Sequence, residues 1–233
     1  DIQEGDVSLE NFHRCDLSDP AAVNTVVDAV GEPIHSLFNC AGLPSTSPDR
    51  QVMLVNFCGH RHLTERVIPL MAPGGSIAFI SSVAGMGWIG NAASMLAFVA
   101  QPDFAAGEAW LDANPDPWTG NGYLCSKEAI NAYVAWRGFQ LAPEGIRLNS
   151  LNPGPTDTPM MPAFIEDQGQ EFFDNFPKPV GRNATAEEQA WCLVMLNSPR
   201  SSYMVATSVF ADGGFTGGLF TGGIDPAVLM PPD

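Results

Sequence analysis

Lysine, and positive charge in general, is scarce in this 233-residue chain. Ten lysines and arginines stand against 26 aspartates and glutamates, which gives a formal net charge of -16 at pH 7. Because binding to nucleic acids depends on basic side chains that neutralise phosphates, we expect no nucleic-acid partner and no anionic membrane surface. The two lysines are Lys127 and Lys178. A lysine inside a candidate site therefore carries more weight than an ordinary surface charge.

The sequence also lacks paired cysteines. Its five cysteines are scattered, odd in number and never spaced as Cys-x-x-Cys. This pattern argues against a disulfide framework and a zinc site, so we expect no metal and a reducing, cytoplasmic setting. His60 and His62 suggest a metal pair, but no cysteine or carboxylate cluster flanks them. Residues two apart on a helix face apart, so we interpret both as surface histidines.

An uninterrupted hydrophobic helix is missing as well. No charged residue occurs between Arg66 and Asp103, but glycines, serines and a proline break this stretch into turn, strand, loop and helix. We expect no membrane span and find no signal peptide at the start. With 45% hydrophobic residues, the chain can bury one full-sized core, so we predict a single domain over residues 1–233.

Apolar runs of strand length alternate with longer helical patterns, which predicts an α/β fold with a doubly wound parallel sheet. The predicted strands are Ser8 to His13, Ile34 to Asn39, Ser76 to Ile80, Ile146 to Leu151 and Thr207 to Ala211. The predicted helices begin at Asp19-Pro20 and run to about Val30, then cover Gln51 to Met71, Ala92 to Trp110, Asn121 to Ala142 and Ala184 to Asn197. Residues from Gly217 onward are interpreted as a tail.

Tyr123 and Lys127 are four residues apart near the start of a predicted helix, so both side chains project from one face. Because a nearby cation favours phenolate, we expect Lys127 to lower the pKa of Tyr123 from about 10 toward that of a general base. The alternative is an ordinary helix-surface pair, since chance often produces this spacing.

Two strand ends carry further candidates, because loops at the carboxyl edge of a parallel sheet normally hold ligands. Ser82 ends one buried strand, and its hydroxyl could hydrogen-bond a substrate carbonyl. The run Asn39-Cys40-Ala41-Gly42 ends another, where small residues let a flat ligand approach the backbone. Either segment could also be a simple turn.

Together these segments resemble the short-chain dehydrogenase/reductase family over nearly the whole chain. The resemblance rests on Asn39-Cys40-Ala41-Gly42 for the Asn-Asn-Ala-Gly motif, Ser82, the Tyr123 and Lys127 pair, the Pro153-Gly154 turn, and Asp212-Gly213-Gly214 after the last strand. It implies a Rossmann-like, three-layer α/β/α fold and an alcohol or carbonyl oxidoreductase that uses NAD rather than NADP.

The resemblance also implies residue roles. Tyr123 would be the acid/base, Ser82 would polarise the carbonyl, and Lys127 would lower the pKa of Tyr123 and grip the ribose. Asn56 would belong to a proton path toward the lysine, or be a structural helix asparagine. The implied cofactor-binding residues are Asp1, Asp16, Leu17, Asn39, Ala41, Gly42, Tyr123, Lys127, Pro153, Gly154, Thr156 and Thr158. Asp16 is equally compatible with a simple helix entry.

The family's first strand-helix-strand unit, with its glycine-rich pyrophosphate turn, has no counterpart in the sequence. Asp1 falls where the family carries the acidic residue that binds the ribose of NAD, so we expect the natural polypeptide to extend upstream by roughly forty residues.

The stretch from Ser82 to Tyr123 is longer than in the plainest members. It predicts a helical insertion at about 88–118, as in the branch that resembles bacterial 3α-hydroxysteroid dehydrogenase/carbonyl reductase and coniferyl-alcohol dehydrogenase.

Residues at about 155–180, hereafter the lid segment, match the family's mobile substrate lid. Their apolar members predict a small apolar or aromatic alcohol or ketone as substrate, and are Met160, Met161, Phe164, Ile165, Phe172 and Phe173. The same residues could be an ordinary amphipathic helix pair.

The Gln51 to Met71 and Asn121 to Ala142 helices resemble the family's dimer-forming pair and imply a homodimer or homotetramer. The alternative function is a non-catalytic binding or regulatory scaffold.

Overall fold

A parallel β-sheet lies at the centre of the computed structural model, which describes residues 11–30 and 33–229. The strands are β1 (Ile34–Asn39), β2 (Met71–Ile80), β3 (Arg147–Pro153), β4 (Thr156–Asp157), β5 (Ala184–Thr185) and β6 (Ser208–Ala211). Four of them hydrogen-bond in the order β1-β2-β3-β6, and every pairing is parallel. A separate short pairing joins β4 to β5.

Helices make up most of the remaining described chain. They are α1 (Pro20–Ala29), α2 (Asp49–Met53), α3 (His60–Val67), α4 (Ala92–Val99), α5 (Phe104–Ala113), α6 (Gly122–Leu141), α7 (Met161–Gln168), α8 (Gln170–Asn175), α9 (Ala186–Asn197) and α10 (Phe215–Phe220). A π-helical turn, Leu54–Gly59, joins α2 to α3. Short 3-10 segments lie at Ile68–Leu70, Val83–Asn91, Ala142–Glu144, Pro199–Ser201 and Pro226–Leu229. Of the described helices, none combines the length and apolar composition needed to cross a membrane.

Both faces of the sheet are covered by helices. On one face, Phe57 and Ile130 pack with Phe79 of β2 in the largest core cluster. On the other face, α9 packs Leu193 and Leu196 onto β2 and β3. Because β2 and β3 are enclosed on both sides, consecutive residues of each strand are buried. In β2 residues 77–80 form a continuous apolar run, whereas β3 alternates apolar with buried polar residues. The predicted α/β fold with three layers is confirmed.

Several predicted boundaries agree with the structure. Strand β1 covers Ile34–Asn39 as expected. Helix α1 begins at Pro20. Asp19 caps it, because the Asp19 carboxylate accepts a hydrogen bond from Ala21 N at 2.9 Å. This cap follows from sequence because Asp before Pro is a common helix start.

Other boundaries need correction. A strand was expected at Ser8 to His13. Residues 11–13 form no strand, and residues 8–10 lie outside the described residues. The helix expected at Gln51 to Met71 contains the π-helical turn and ends before Met71, which opens β2. Apolar periodicity does not reveal a single π-helical turn, because the pattern is judged over a window longer than that turn.

The inserted segment between β2 and α6 contains two helices, α4 and α5, rather than the single helix expected from Ala92 to Trp110. It packs into the main core, because Phe98 of α4 contacts Phe57 with ring centroids 5.0 Å apart and stacks on Trp110 at 4.8 Å. Arg50 pairs with Glu108 of α5 at 2.8 Å. The insertion therefore covers part of the helix pair that was expected to form a dimer.

The chain after β3 contains two small helices and then returns to the sheet. Gly169, with a φ of 87°, separates α7 from α8. Phe176, just after α8, packs on Phe215 at the start of α10 with ring centroids 4.6 Å apart. The tail expected from Gly217 is thus partly helical, because α10 runs to Phe220. The first residue of α10, Phe215, is held by its aromatic contact with the lid segment.

Candidate active site

The carboxyl ends of the parallel strands meet at one edge of the sheet, and three of the motifs found in sequence lie there. They are the loop after Asn39, Ser82 and the Pro153-Gly154 turn. Gly154 N donates to Ala211 O at 3.3 Å, and a Cβ on Gly154 would lie 3.1 Å from Asp212 Cα. The glycine therefore permits close packing between the turns that follow β3 and β6.

The Ser82 side chain lies near the Tyr123 phenol and lowers its pKa, which partly opposes the effect of burial. The end of β2 is fastened to the start of α6, since Ser81 Oγ donates to Lys127 O at 2.9 Å. Gly85 approaches α6 so closely that an added Cβ would lie 2.6 Å from Lys127 O. These contacts fix the strand-end serine relative to the helix that carries the tyrosine.

Lys127 is buried one turn after Tyr123. Its Nζ donates to Ile80 O at 3.0 Å and lies 5.4 Å from the centroid of the Tyr123 ring. Burial lowers the pKa of Lys127 to about 8, and the nearby Cys40 partly opposes that shift. The ammonium group has three donors, and in the described part of the chain Ile80 O occupies one of them.

The expected lowering of the pKa of Tyr123 by Lys127 is wrong for this structure. Burial raises the pKa of Tyr123 to about 12, and the hydrogen bond with Ser82 only partly opposes it. The ring is covered by Phe164 of the lid segment, with ring centroids 5.0 Å apart. The sequence could not reveal this outcome, because the residue that covers Tyr123 lies far along the chain.

Asn56 lies in the π-helical turn and holds the backbone of the loop after β1. Its Oδ1 accepts from Leu43 N at 2.7 Å, and its Nδ2 donates to Leu43 O at 3.0 Å. A Cβ on Gly42 would approach Asn56 Oδ1 to 3.3 Å. A π-helical turn at this point is consistent with the frequent occurrence of such turns at functional sites. The proposed path from Asn56 toward the lysine stays a prediction.

His60 is not a surface residue, and its interpretation as one is wrong. It is buried, with Nε2 2.7 Å from Ala41 O and Nδ1 3.0 Å from the side-chain amide of Asn39. Thr64 Oγ1 lies 3.0 Å from the same amide. His62 is half-buried, and its Nε2 lies 3.0 Å from Asn24 Oδ1. The missed signal was the spacing of four between Asn56 and His60, which puts both on one helix face.

The remaining expected cofactor residues differ in their surroundings. Asp16 Oδ1 accepts from Ser18 N at 2.8 Å and from Ser18 Oγ at 2.7 Å, and these bonds lower the pKa of Asp16. Leu17 is buried, and its carbonyl lies so close to Gly59 that a Cβ there would come within 2.2 Å. The cap of α1 is Asp19, so Asp16 forms its own turn before the helix.

Thr156 and Thr158 follow the Pro153-Gly154 turn. Thr156 Oγ1 donates to Gly154 O at 2.9 Å, and Thr158 O accepts from Met161 N at 3.0 Å at the entry to α7. Both threonines therefore lie at the start of the lid segment, between the end of β3 and α7. Asp1 lies outside the described residues.

A buried polar network under the site was missed in the sequence. Asn131 Nδ2 donates to Gly85 O at 3.0 Å and to Asn152 Oδ1 at 2.8 Å, and its Oδ1 accepts from Ser150 Oγ at 2.9 Å. This amide joins α6 to β3 and to the segment after Ser82. A polar residue one helical turn after Lys127 was the available signal, but helix periodicity alone does not distinguish it from a surface asparagine.

Within residues 11–30 and 33–229, no group of three or more histidines, cysteines or carboxylates is placed to hold a metal ion. The donors that converge at the sheet edge are hydroxyl, phenol, ammonium and backbone groups. Such a set can bind oxygen-rich organic ligands and exchange a proton with them.

Comparison with known proteins gives consistent matches. A family model described as short chain dehydrogenase matches residues 7–94, and one described as Enoyl-(Acyl carrier protein) reductase matches residues 117–216. Coniferyl-alcohol dehydrogenase of Pseudomonas sp. strain HR199 is 30% identical over 212 residues, covering 89% of this chain and 82% of the relative. 3-alpha-hydroxysteroid dehydrogenase/carbonyl reductase of Comamonas testosteroni is 32% identical over 205 residues, covering 83% of this chain and 77% of the relative.

A solved structure is also similar. The 3-alpha-hydroxysteroid dehydrogenase of Pseudomonas sp. B-0831, complexed with NADH, superposes with a TM-score of 0.76 at 26% identity. The match covers 91% of this chain and 85% of the solved one.

Proposed function

Because this chain belongs to the short-chain dehydrogenase/reductase family of oxidoreductases, we propose that it interconverts a secondary or aromatic alcohol and its carbonyl compound with NAD(H). The observation that carries the proposal is the placement of three groups at one edge of the sheet. Buried Lys127 donates to Ile80 O at the end of β2, its Nζ lies 5.4 Å from the Tyr123 ring, and the Ser82 side chain is near the phenol. A hydroxyl and a phenol that can reach one oxygen atom are the groups that carbonyl reduction requires.

In the reducing direction, the phenol of Tyr123 donates its proton to the substrate oxygen as the carbonyl carbon gains a hydride. Ser82 donates a hydrogen bond to the same oxygen and stabilises the charge that develops there. In the oxidising direction the alcohol proton passes to the phenolate form of Tyr123, which becomes the neutral phenol. NAD(H), when bound, supplies or accepts the hydride. The raised pKa of Tyr123 keeps its phenol protonated, which suits the reducing direction.

The donors of the site fit the ribose of a nicotinamide cofactor. Lys127 Nζ is buried and uses one of its three donors within the described residues, so a ligand with hydroxyl oxygens would satisfy the others. Asn39, Ala41 and Gly42 line the same edge of the sheet. We propose NAD rather than NADP because Asp1 matches the acidic position of the family and because the similar solved structure holds NADH.

The lid segment supports an apolar or aromatic substrate. Phe164 lies edge-on to Tyr123, so an apolar ring would meet an apolar wall beside the proposed acid. The names of the relatives, coniferyl-alcohol and 3-alpha-hydroxysteroid dehydrogenases, point toward ring-bearing alcohols.

Titration of the whole protein with NADH and with NADPH, followed by nicotinamide fluorescence, tests the class and the cofactor together. We expect NADH to bind more tightly. Tighter binding of NADPH would contradict the choice of cofactor, and binding of neither would favour a scaffold without catalysis.

Replacement Tyr123→Phe tests the chemistry. Turnover of an aromatic alcohol should fall by at least about a hundredfold, because the acid/base proton is lost, whereas NADH binding should persist. Tyr203→Phe is the matched control, since this tyrosine is fully exposed. Retained turnover in Tyr123→Phe would remove Tyr123 as the acid/base.

We further propose that the protein assembles as a homodimer or homotetramer in the cytoplasm. Helix α9 exposes Trp191, Val194 and Met195, an apolar set that a second copy of the chain would cover. The five cysteines are free thiols, which suits a reducing compartment. Light scattering should give at least twice the monomer mass, and Trp191→Glu should lower it.

A further inference from the structure

His60 is the first residue of α3 and lies fully enclosed beneath the loop after β1. Its two ring nitrogens contact the end of β1 and the loop that follows, with the Asn39 amide at 3.0 Å from Nδ1 and Ala41 O at 2.7 Å from Nε2. The ring also lies edge-on to Phe79, with centroids 6.1 Å apart. A buried histidine with a partner on each nitrogen has its orientation fixed.

The protonation of this group follows from its burial. Burial lowers the pKa of His60 to about 4, so the ring is neutral near pH 7, with one donor and one acceptor nitrogen. Ala41 O can only accept, so Nε2–H donates to it and Nδ1 must accept from the Asn39 amide. The structure places Asn39 Oδ1 beside His60 Nδ1 and Asn39 Nδ2 beside Thr64 Oγ1. A neutral His60 requires the opposite assignment of the amide, in which Nδ2 donates to His60 and Oδ1 accepts from the Thr64 hydroxyl.

With that orientation each of the three contacts pairs one donor with one acceptor. The Thr64 hydroxyl donates to Asn39, the Asn39 amide donates to His60, and His60 donates to Ala41. The three bonds run in one direction from the middle of α3 to the backbone of the loop. A chain of matched hydrogen bonds between buried groups holds its members in place, whereas loss of one member leaves a buried polar group without that partner.

The peptide that His60 holds is the one between Ala41 and Gly42. In a trans peptide the carbonyl and the following N–H point in opposite directions, so turning Ala41 O toward His60 turns Gly42 N–H away from the helix. Gly42 has no Cβ to resist a rotation of this peptide. On its far side, Asn56 binds both backbone groups of Leu43. Within the described part of the chain, Gly42 N–H donates no hydrogen bond.

We propose that His60 is a positioning residue for the cofactor, which locks the Ala41–Gly42 peptide so that Gly42 N–H is presented outward as a hydrogen-bond donor. The proposal rests on the proposed function, because the ligand that meets this donor is the nicotinamide cofactor. A donor held in place before binding improves affinity, since no rotation has to be frozen when the ligand arrives.

Three replacements separate this role from simple packing. His60→Phe keeps the ring but loses both hydrogen bonds. His60→Gln can place an amide N–H where Nε2 lies and still reach Ala41 O, whereas His60→Asn reaches only as far as Nδ1 does. The matched control is His62→Phe, which removes the neighbouring histidine that contacts Asn24.

The experiment combines cofactor-free hydrogen exchange with NADH titration of the whole protein. Without cofactor, the backbone amide of Leu43, which donates to Asn56 Oδ1 in the wild type, should exchange at least about tenfold faster in His60→Phe and His60→Asn. NADH affinity should fall about tenfold in both, with kcat within about twofold, and His60→Gln should restore most of it. His62→Phe should behave as the wild type.

Two outcomes would overturn the proposal. One is unchanged exchange of the Leu43 amide in His60→Phe. The other is equal loss of NADH affinity in His60→Gln and His60→Asn, which would indicate only a packing role. If His60→Phe does not fold, the comparison of His60→Gln with His60→Asn still decides. A wild type that binds neither nucleotide would contradict the proposed function. Hydrogen exchange of the free protein would still test whether His60 fixes the Ala41–Gly42 peptide.

Discussion

The two sides of the candidate site are built differently. The loop after β1 and the segment after Ser82 are tied to helices by directional hydrogen bonds, from Asn56 to Leu43 and from Ser81 to Lys127. The lid segment contacts the site through aromatic rings, above all Phe164 on Tyr123 and Phe176 on Phe215. One side is fixed in angle and distance, and the other is held by contacts that tolerate sliding.

This difference matches what each side has to do in the proposed reaction. Groups that share a proton or orient a cofactor must be held within a fraction of an ångström. A segment that covers an apolar substrate has to open for entry and close for the reaction, and it needs contacts that can be broken at small energetic cost.

The largest expected effect comes from breaking the fixed side. Gly85→Ala would place a Cβ 2.6 Å from Lys127 O, a backbone atom that cannot move without shifting α6. We expect the free energy of unfolding to fall by about 2–3 kcal/mol, measured by urea denaturation.

The matched control for that change is Gly107→Ala in α5. Its added Cβ would lie 3.6 Å from Cys58 Sγ, an ordinary contact, so we expect a gain of about 0.5–1 kcal/mol from the better helix former. Equal destabilisation by both replacements would show that the close approach at Gly85 is not what fixes this side.

A pH series sharpens the comparison at Lys127. Burial holds the pKa of Lys127 at about 8 in the folded chain, below the value of 10.5 for an unfolded lysine. As the pH rises, the folded state therefore loses this proton at a lower pH than the unfolded state does. Stability should therefore rise with pH between these values, by about 1 kcal/mol from pH 8 to pH 9. The difference in unfolding free energy between wild type and Lys127→Met isolates this contribution from other groups. A difference that is flat across this range would contradict the burial of Lys127.

The smallest effect on stability is expected on the lid side. Phe164→Ala should lower the free energy of unfolding by about 1 kcal/mol or less, but should raise the KM for an aromatic alcohol about fivefold, because one ring contact is lost. It should also bring the pKa of Tyr123 down from about 12, since part of its cover is removed. Phe172→Ala is the control, because this ring packs on Phe173 and Phe176. Equal KM changes in both would contradict a specific role for Phe164.

The sequence predicted the part of this site that depends on strand ends and local spacing. Parallel strands end at one edge, so the approach of Ser82 and the loop after Asn39 could be anticipated, and the Tyr123 and Lys127 pair follows from helix geometry. The burial of His60 and the cover over Tyr123 could not, because each depends on a segment distant in sequence. Asn131 was missed for the same reason, since its partners lie on β3 and after β2.

The aromatic attachment of the lid segment has a consequence for how this chain can evolve. Exchanging one ring for another apolar side chain leaves no orphaned donor or acceptor behind, so such changes cost little in folding. A change among the hydrogen-bonded groups opposite would leave buried polar atoms unmatched. New substrate preferences can therefore arise by single replacements around Phe164 while the proton-transfer geometry is inherited unchanged.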